Sequence, residues 1–125
     1  VRLFNNFQDV SANDAIIDDA LIDRYWKLNN REGAAAAAEA FTRAQYEFWD
    51  TLDVRSYYGR LRRPILLQGG ADAVILPPEV GESVAAMFTG TSVRLVQYPG
   101  AGHMPMLEQP EATVRDAIAF LEERE

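Results

Sequence analysis

Val93-Arg94-Leu95-Val96-Gln97-Tyr98-Pro99-Gly100-Ala101-Gly102-His103-Met104-Pro105 is the stretch from which the fold is read. Its first six residues form an apolar-rich run of strand length, expected to be buried in a sheet. Pro99 to Gly102 form a loop kept open by two glycines, and that loop delivers the only histidine of the chain. Imidazole is the side chain whose unperturbed pKa lies near neutral pH, so a histidine at a strand end can both take and give a proton. Taken alone, a loop histidine serves as readily as a surface or hydrogen-bonding residue.

A second stretch upstream repeats the pattern. Pro64 introduces Ile65-Leu66-Leu67-Gln68, a short run with the look of a strand buried on both faces. Gly69 and Gly70 then permit a tight turn, and Asp72 follows. Pro77-Pro78-Glu79 opens a helix with proline in its first turn, with Val80, Val84, Ala85 and Phe88 as its apolar positions and Gly90 as its end. Beyond the histidine loop, Val114, Ala117, Ile118 and Leu121 mark a helix from about Pro110 to Glu123. The order strand, helix, strand, helix predicts an α/β fold with parallel strands joined by a right-handed crossover. Asp72 and His103, 31 residues apart, then both follow strand carboxyl ends on one edge of the sheet. Open α/β sheets place their sites at that edge. An aspartate there can orient a histidine and stabilise its charged form. It can equally be a turn or capping carboxylate after a glycine pair.

The first half of the chain reads differently. Residues 1 to 13 form a chain end and a polar loop. Ser11 and Asp14 have capping-box spacing, with Asn13 as the alternative cap. A helix is predicted from about Asp14 to Arg31, stopped by Gly33. The alanine run Ala34 to Ala38 starts a second helix reaching about Trp49, with Phe41, Ala44 and Phe48 on one face. Tyr25, Trp26, Phe41, Tyr46, Phe48 and Trp49 either line a pocket or pack these two helices together. A polar connector from Asp50 to Arg63 carries a short helical stretch around Val54 to Leu61. Its cluster of Arg60, Arg62 and Arg63 is expected to be a solvated face.

Composition narrows the function. A net charge of −7 argues against nucleic-acid binding, which needs a basic face. No apolar run is long enough to span a bilayer, and no basic cluster marks a membrane-surface binder. With no cysteine, disulfides, thiolate metal sites and a thiol nucleophile are all excluded. The same absence fits a reducing compartment, and the expected location is the cytoplasm. One histidine with scattered carboxylates does not supply zinc spacing, so neither metal nor cofactor is expected.

Leu66-Leu67-Gln68-Gly69-Gly70-Ala71-Asp72 followed by Ile75-Leu76-Pro77-Pro78-Glu79 resembles the acid-bearing segment of the α/β-hydrolase superfamily, commonly a strand, then G-x-x-D, then V-x-P. Pro77 lies one residue further from Asp72 than in many members. Val96 to Pro105, with Glu108-Gln109-Pro110-Glu111, resembles the histidine segment of the same superfamily. Leu21-Ile22-Asp23-Arg24-Tyr25-Trp26 and Arg31-Glu32-Gly33 are similar to the helical cap of its haloalkane dehalogenase, epoxide hydrolase and C–C hydrolase branch. The resemblance implies that residues 1–63 are a helical cap segment and connector, and residues 64–125 the C-terminal part of an α/β-hydrolase core. It implies His103 as general base and Asp72 as the acid that orients it. Tyr25, Trp26, Phe48 and Met104 are the candidate contacts to a small apolar substrate.

The superfamily's nucleophile sits on a G-x-S-x-G elbow ahead of the acid and the histidine. None of Ser11, Ser56, Ser83 and Ser92 has that setting. The expectation is therefore a C-terminal portion of a larger hydrolase of small esters or related bonds, inactive by itself, that needs the missing N-terminal half or self-associates. An aspartate on the elbow would instead imply epoxide hydrolase or dehalogenase chemistry, with Tyr25, Tyr46, Tyr57 and Tyr58 as candidate proton donors. A non-catalytic binding remnant is the third reading.

Overall fold

The computed structural model describes residues 10–49, 53 and 55–123. The expected polar loop over the first nine residues, and Val54 at the start of the connector helix, lie outside the described residues. After a 3-10 turn at Asp14–Ile16 come α1 (Asp19–Asn29), α2 (Ala34–Trp49), α3 (Arg55–Tyr58), β1 (Ile65–Gly70), α4 (Pro78–Ala85), β2 (Val93–Tyr98), α5 (Pro105–Glu108) and α6 (Pro110–Glu122).

The helix expected from Asp14 to Arg31 is two pieces, because two short polar side chains compete for the backbone. Asn13 accepts from the amide of Ala15 at 3.0 Å and starts the 3-10 turn. Asp18 accepts from the amide of Leu21 at 2.7 Å and starts α1 afresh. Between these caps Ile17 has ψ 71° and is not helical. Ser11 pairs with Asn13, donating to its carbonyl and accepting from its amide, so the Ser11–Asp14 capping box is not formed. Asn30 ends α1, and Gly33, at φ +78°, makes the turn into α2.

Of the aromatic residues read from this segment, Tyr25 is half-buried, whereas Trp26, Phe41, Tyr46 and Phe48 are exposed. Phe41 is 65% exposed, Trp26 58%, and Tyr46 and Phe48 are also open to solvent.

The sheet has two parallel strands, with Ile65 opposite Val93 and Gly70 opposite Tyr98. Alternation along the strands divides their side chains between two helices. Gln97 Nε2 donates to the Pro78 carbonyl at 2.7 Å, and Leu95 lies against Gly81, so the odd-numbered residues of β2 face α4. Arg94 pairs with Glu123 just past α6, and Tyr98 donates to Asp116 within it at 3.0 Å, so the even-numbered residues face α6. Gln68 of β1 joins that second layer, donating to the Tyr98 hydroxyl at 2.7 Å and the Thr113 carbonyl at 2.9 Å. The result is a helix–sheet–helix sandwich, the α/β class read from the sequence.

Its core is small. Ala73, Tyr98, Ala101, Thr113 and Phe120 are buried, whereas Val114, Ile118 and Leu121 on α6 are exposed. An apolar cavity of about 240 Å³ opens between β1 and α4, walled by Leu67, Leu76, Val80, Val84 and Leu95. None of the helices among the described residues is long and apolar enough to cross a membrane.

Candidate active site at the carboxyl ends of the strands

β1 and β2 end side by side, and the loops that leave them are hydrogen-bonded to each other. The amide of Ala71 donates to the Tyr98 carbonyl at 2.9 Å, and the amide of Asp72 to the Ala101 carbonyl at 3.0 Å. The Asp72 carboxylate accepts through Oδ2 from the amide of Gly100 at 2.7 Å. Gly100 has φ +77°, a conformation that glycine adopts without a Cβ clash, and this turns its amide toward the carboxylate. Asp72 is therefore a partner of the histidine loop across 28 residues of sequence, more than a local turn former.

The seat of the loop admits no side chain at two glycines. A Cβ on Gly70, the last residue of β1, would lie 1.9 Å from the Gly102 carbonyl oxygen and 2.2 Å from that of Ala101. A Cβ on Gly102 would lie 2.6 Å from the Ala12 nitrogen and 2.7 Å from the Val10 oxygen. Backbone on both sides is thus in direct contact with Ala101 and Gly102, which are buried. The loop emerges at His103, whose amide donates to the Val10 carbonyl at 2.7 Å and whose side chain is exposed.

Asp72 and His103 thus share one edge, and Asp72 reaches the histidine loop through the backbone at Gly100. Among the described residues no hydrogen bond joins its carboxylate to the imidazole, and Oδ1 has no protein partner. Met104, next to His103, is half-buried, and Tyr25 is half-buried on α1. Trp26 and Phe48 are exposed in the helical segment. Among the described residues, no cluster of histidine and carboxylate side chains is placed to hold a metal ion.

Two residues that the sequence named only as part of the histidine segment, with no role assigned, hold the loop in place. Glu108 accepts from the amides of Gly102 at 2.9 Å and Ala12 at 2.8 Å. Gln109 donates from Nε2 to the Pro99 carbonyl at 2.7 Å. Their signal in the sequence is their place in the histidine segment, at the end of the short helix that starts at Pro105.

Behind the site, Tyr98 is 4% exposed and its hydroxyl joins Gln68 and Asp116. Burial raises the Tyr98 pKa above the ordinary phenol value, with Asp116 adding to the rise and Gln68 opposing it. The hydrogen bond from Arg115 holds Asp116 below the ordinary carboxylate value, helped by Tyr98 and opposed by desolvation. This layer therefore holds a neutral phenol on an ionised carboxylate at neutral pH.

The match to known families follows the same segments. The model of an alpha/beta hydrolase family matches residues 2–117, nearly the whole chain. The chain belongs to the alpha/beta hydrolase family. It is also 32% identical over 122 residues to proteins named "Putative non-heme bromoperoxidase BpoC" from two strains of Mycobacterium tuberculosis, CDC 1551 / Oshkosh and ATCC 25618 / H37Rv. The alignment covers 95% of this chain and 42% of each relative, so the chain spans less than half the length of these curated relatives.

Proposed function

We propose that this chain carries the acid and the base of a hydrolase triad, Asp72 and His103, and that the nucleophile comes from a segment outside these 125 residues. The observation that supports this most is the bond from Gly100 to Asp72, which ties the acid-bearing turn to the histidine loop at the strand carboxyl ends. In this reading His103 removes the proton from a serine hydroxyl as that oxygen attacks an ester carbonyl. It then returns the proton to the leaving alkoxide. Asp72 has one oxygen engaged by Gly100 and the other, Oδ1, available to take the N–H of the imidazole and fix its tautomer.

The substrate class proposed is a small ester with an apolar body. The apolar partner proposed for the open side of β1, the cavity beside α4 and the outer face of α6 is the rest of a larger sheet or a second copy of the chain. The location proposed is the cytoplasm. The relatives' printed name makes peroxide-dependent bromination the second reading, favoured by the 32% identity.

The test is a chromogenic short-chain aryl ester offered to the chain together with the segment that carries the nucleophile, with His103 in place and as His103→Gln. The expected result is a fall in kcat/KM of about 10²–10⁴-fold in the variant, the range for loss of a general base. Undiminished hydrolysis by His103→Gln would overturn the reading. Bromide-dependent bromination with hydrogen peroxide, in the absence of esterase turnover, would favour the second reading.

A further inference from the structure

Glu108, the last residue of α5, lies five positions after His103 and accepts two backbone amides from segments far apart in sequence. We propose that Glu108 is a positioning residue for His103: its carboxylate clasps the histidine loop to the Val10–Ala12 segment, one oxygen on each. Oε1 takes the amide of Gly102, and Oε2 takes the amide of Ala12. A third hydrogen bond, from the His103 amide to the Val10 carbonyl, closes the same junction. The absence of a side chain at Gly102 lets the two backbones come this close.

The chemistry of the junction calls for a carboxylate. Two converging N–H donors need two acceptor atoms. An ionised carboxylate offers two acceptor oxygens and no donor, whereas an amide side chain would present its NH₂ to one of the two N–H groups. Bonds from neutral N–H groups to an ionised acceptor are also the stronger kind. On the opposite flank, Gln109 holds the Pro99 carbonyl, so consecutive residues grip the start and the end of the loop. Pro105 starts α5 and is buried, which anchors the short helix that carries the grip.

A consequence reaches beyond the loop. Val10–Ala12 leads directly into the 3-10 turn and α1. Displacement of that helical segment therefore pulls on the histidine backbone through the bonds at Val10 and Ala12. The clasp makes the position of His103 depend on the seating of residues 10–12.

The role in turnover rests on the reading of His103 as base; the clasp itself is tested without activity. Amide hydrogen exchange is measured on the natural protein, Glu108→Ala and Glu108→Gln. The expected result in Glu108→Ala is exchange about tenfold or more faster at Ala12, Gly102 and His103, with Leu67 and Val96 in the sheet unchanged. Glu108→Gln, which keeps one acceptor, is expected to lie between and serves as the deciding variant if Glu108→Ala loses protection everywhere. Unchanged exchange at Ala12 and Gly102, or equal acceleration at Leu67 and Val96 in Glu108→Gln, would overturn the clasp. With an ester substrate, Glu108→Gln is expected to lower kcat about tenfold with KM within about twofold, because the base is misplaced while binding is spared. Faster exchange with unchanged kcat would overturn the positioning role. Absence of esterase turnover when the nucleophile-bearing segment is present would overturn the triad reading and leave the exchange result to decide the clasp.

Discussion

Residues 10–49 and residues 64–123 are built on opposite economies of contact. From Asn13 onward the first region meets its backbone needs locally, through the caps at Asn13 and Asp18 and the side chains of Asn29 and Asn30 bonded to the last turns of α1. Several of its large side chains remain exposed, Trp26 and Phe41 among them. The second region meets its needs at long range: Asp72 with Gly100, Gln68 with Thr113, and Arg94 with Glu123. A helix completes its own hydrogen bonds and can persist with sparse neighbours, whereas a parallel strand has none until a partner lies beside it. Position in the second region is therefore fixed by tertiary contact, and that is the region that holds Asp72 and His103.

The comparison is sharpest at the glycine that seats the histidine loop. Gly70→Ala is expected to destabilise the protein by about 3 kcal/mol, at the upper end of overpacking costs. Its Cβ would meet backbone oxygens at 1.9 and 2.2 Å, and backbone cannot rotate away as a side chain can. A urea midpoint checks this, and a near-neutral result would break the claim that the second region is held by close backbone contact.

A smaller effect is expected on acidification. Asp116 is held below its ordinary carboxylate value chiefly by the hydrogen bond from Arg115, so the unfolded chain takes up that proton more readily than the folded one. Stability from this group is present above the ordinary carboxylate range and is lost as pH falls through the depressed folded value. Asp116→Asn should flatten the fall in thermal midpoint between about pH 5 and pH 3, where carboxylates titrate. An unchanged slope would show that the Tyr98–Asp116 layer does not couple to folding.

The smallest effect belongs to the first region. Trp26→Ala is expected to change stability by no more than about 0.5 kcal/mol, as for an exposed position away from special features. A loss of 2 kcal/mol or more would mean that the aromatic face of α1 is covered in solution, and the contrast between the regions would fail.

Much of the architecture was legible because its signals are local. The runs at Ile65 and Val93 gave both strands, the alanine run gave α2, and Pro110 with the spacing of Val114, Ile118 and Leu121 gave α6. The break between Asp14 and Asp19 was not, because Asn13 and Asp18 are each competent caps and only the folded backbone chooses to use both. The short helix at Pro105 has too few residues to show a period.

The sequence by itself determined the class of fold and the place of Asp72 and His103 after the two strands, since strand and helix periods and a lone histidine after a strand are properties of neighbouring positions. Only the tertiary structure decided that Asp72 grips the loop at Gly100, that Gly70 and Gly102 leave no room for a side chain, and that Glu108 joins Ala12 to Gly102. Those are meetings of backbone groups with carboxylates or other backbone as many as 96 residues away. Every residue carries the same amide and carbonyl, so no pattern of side chains announces which of them will meet.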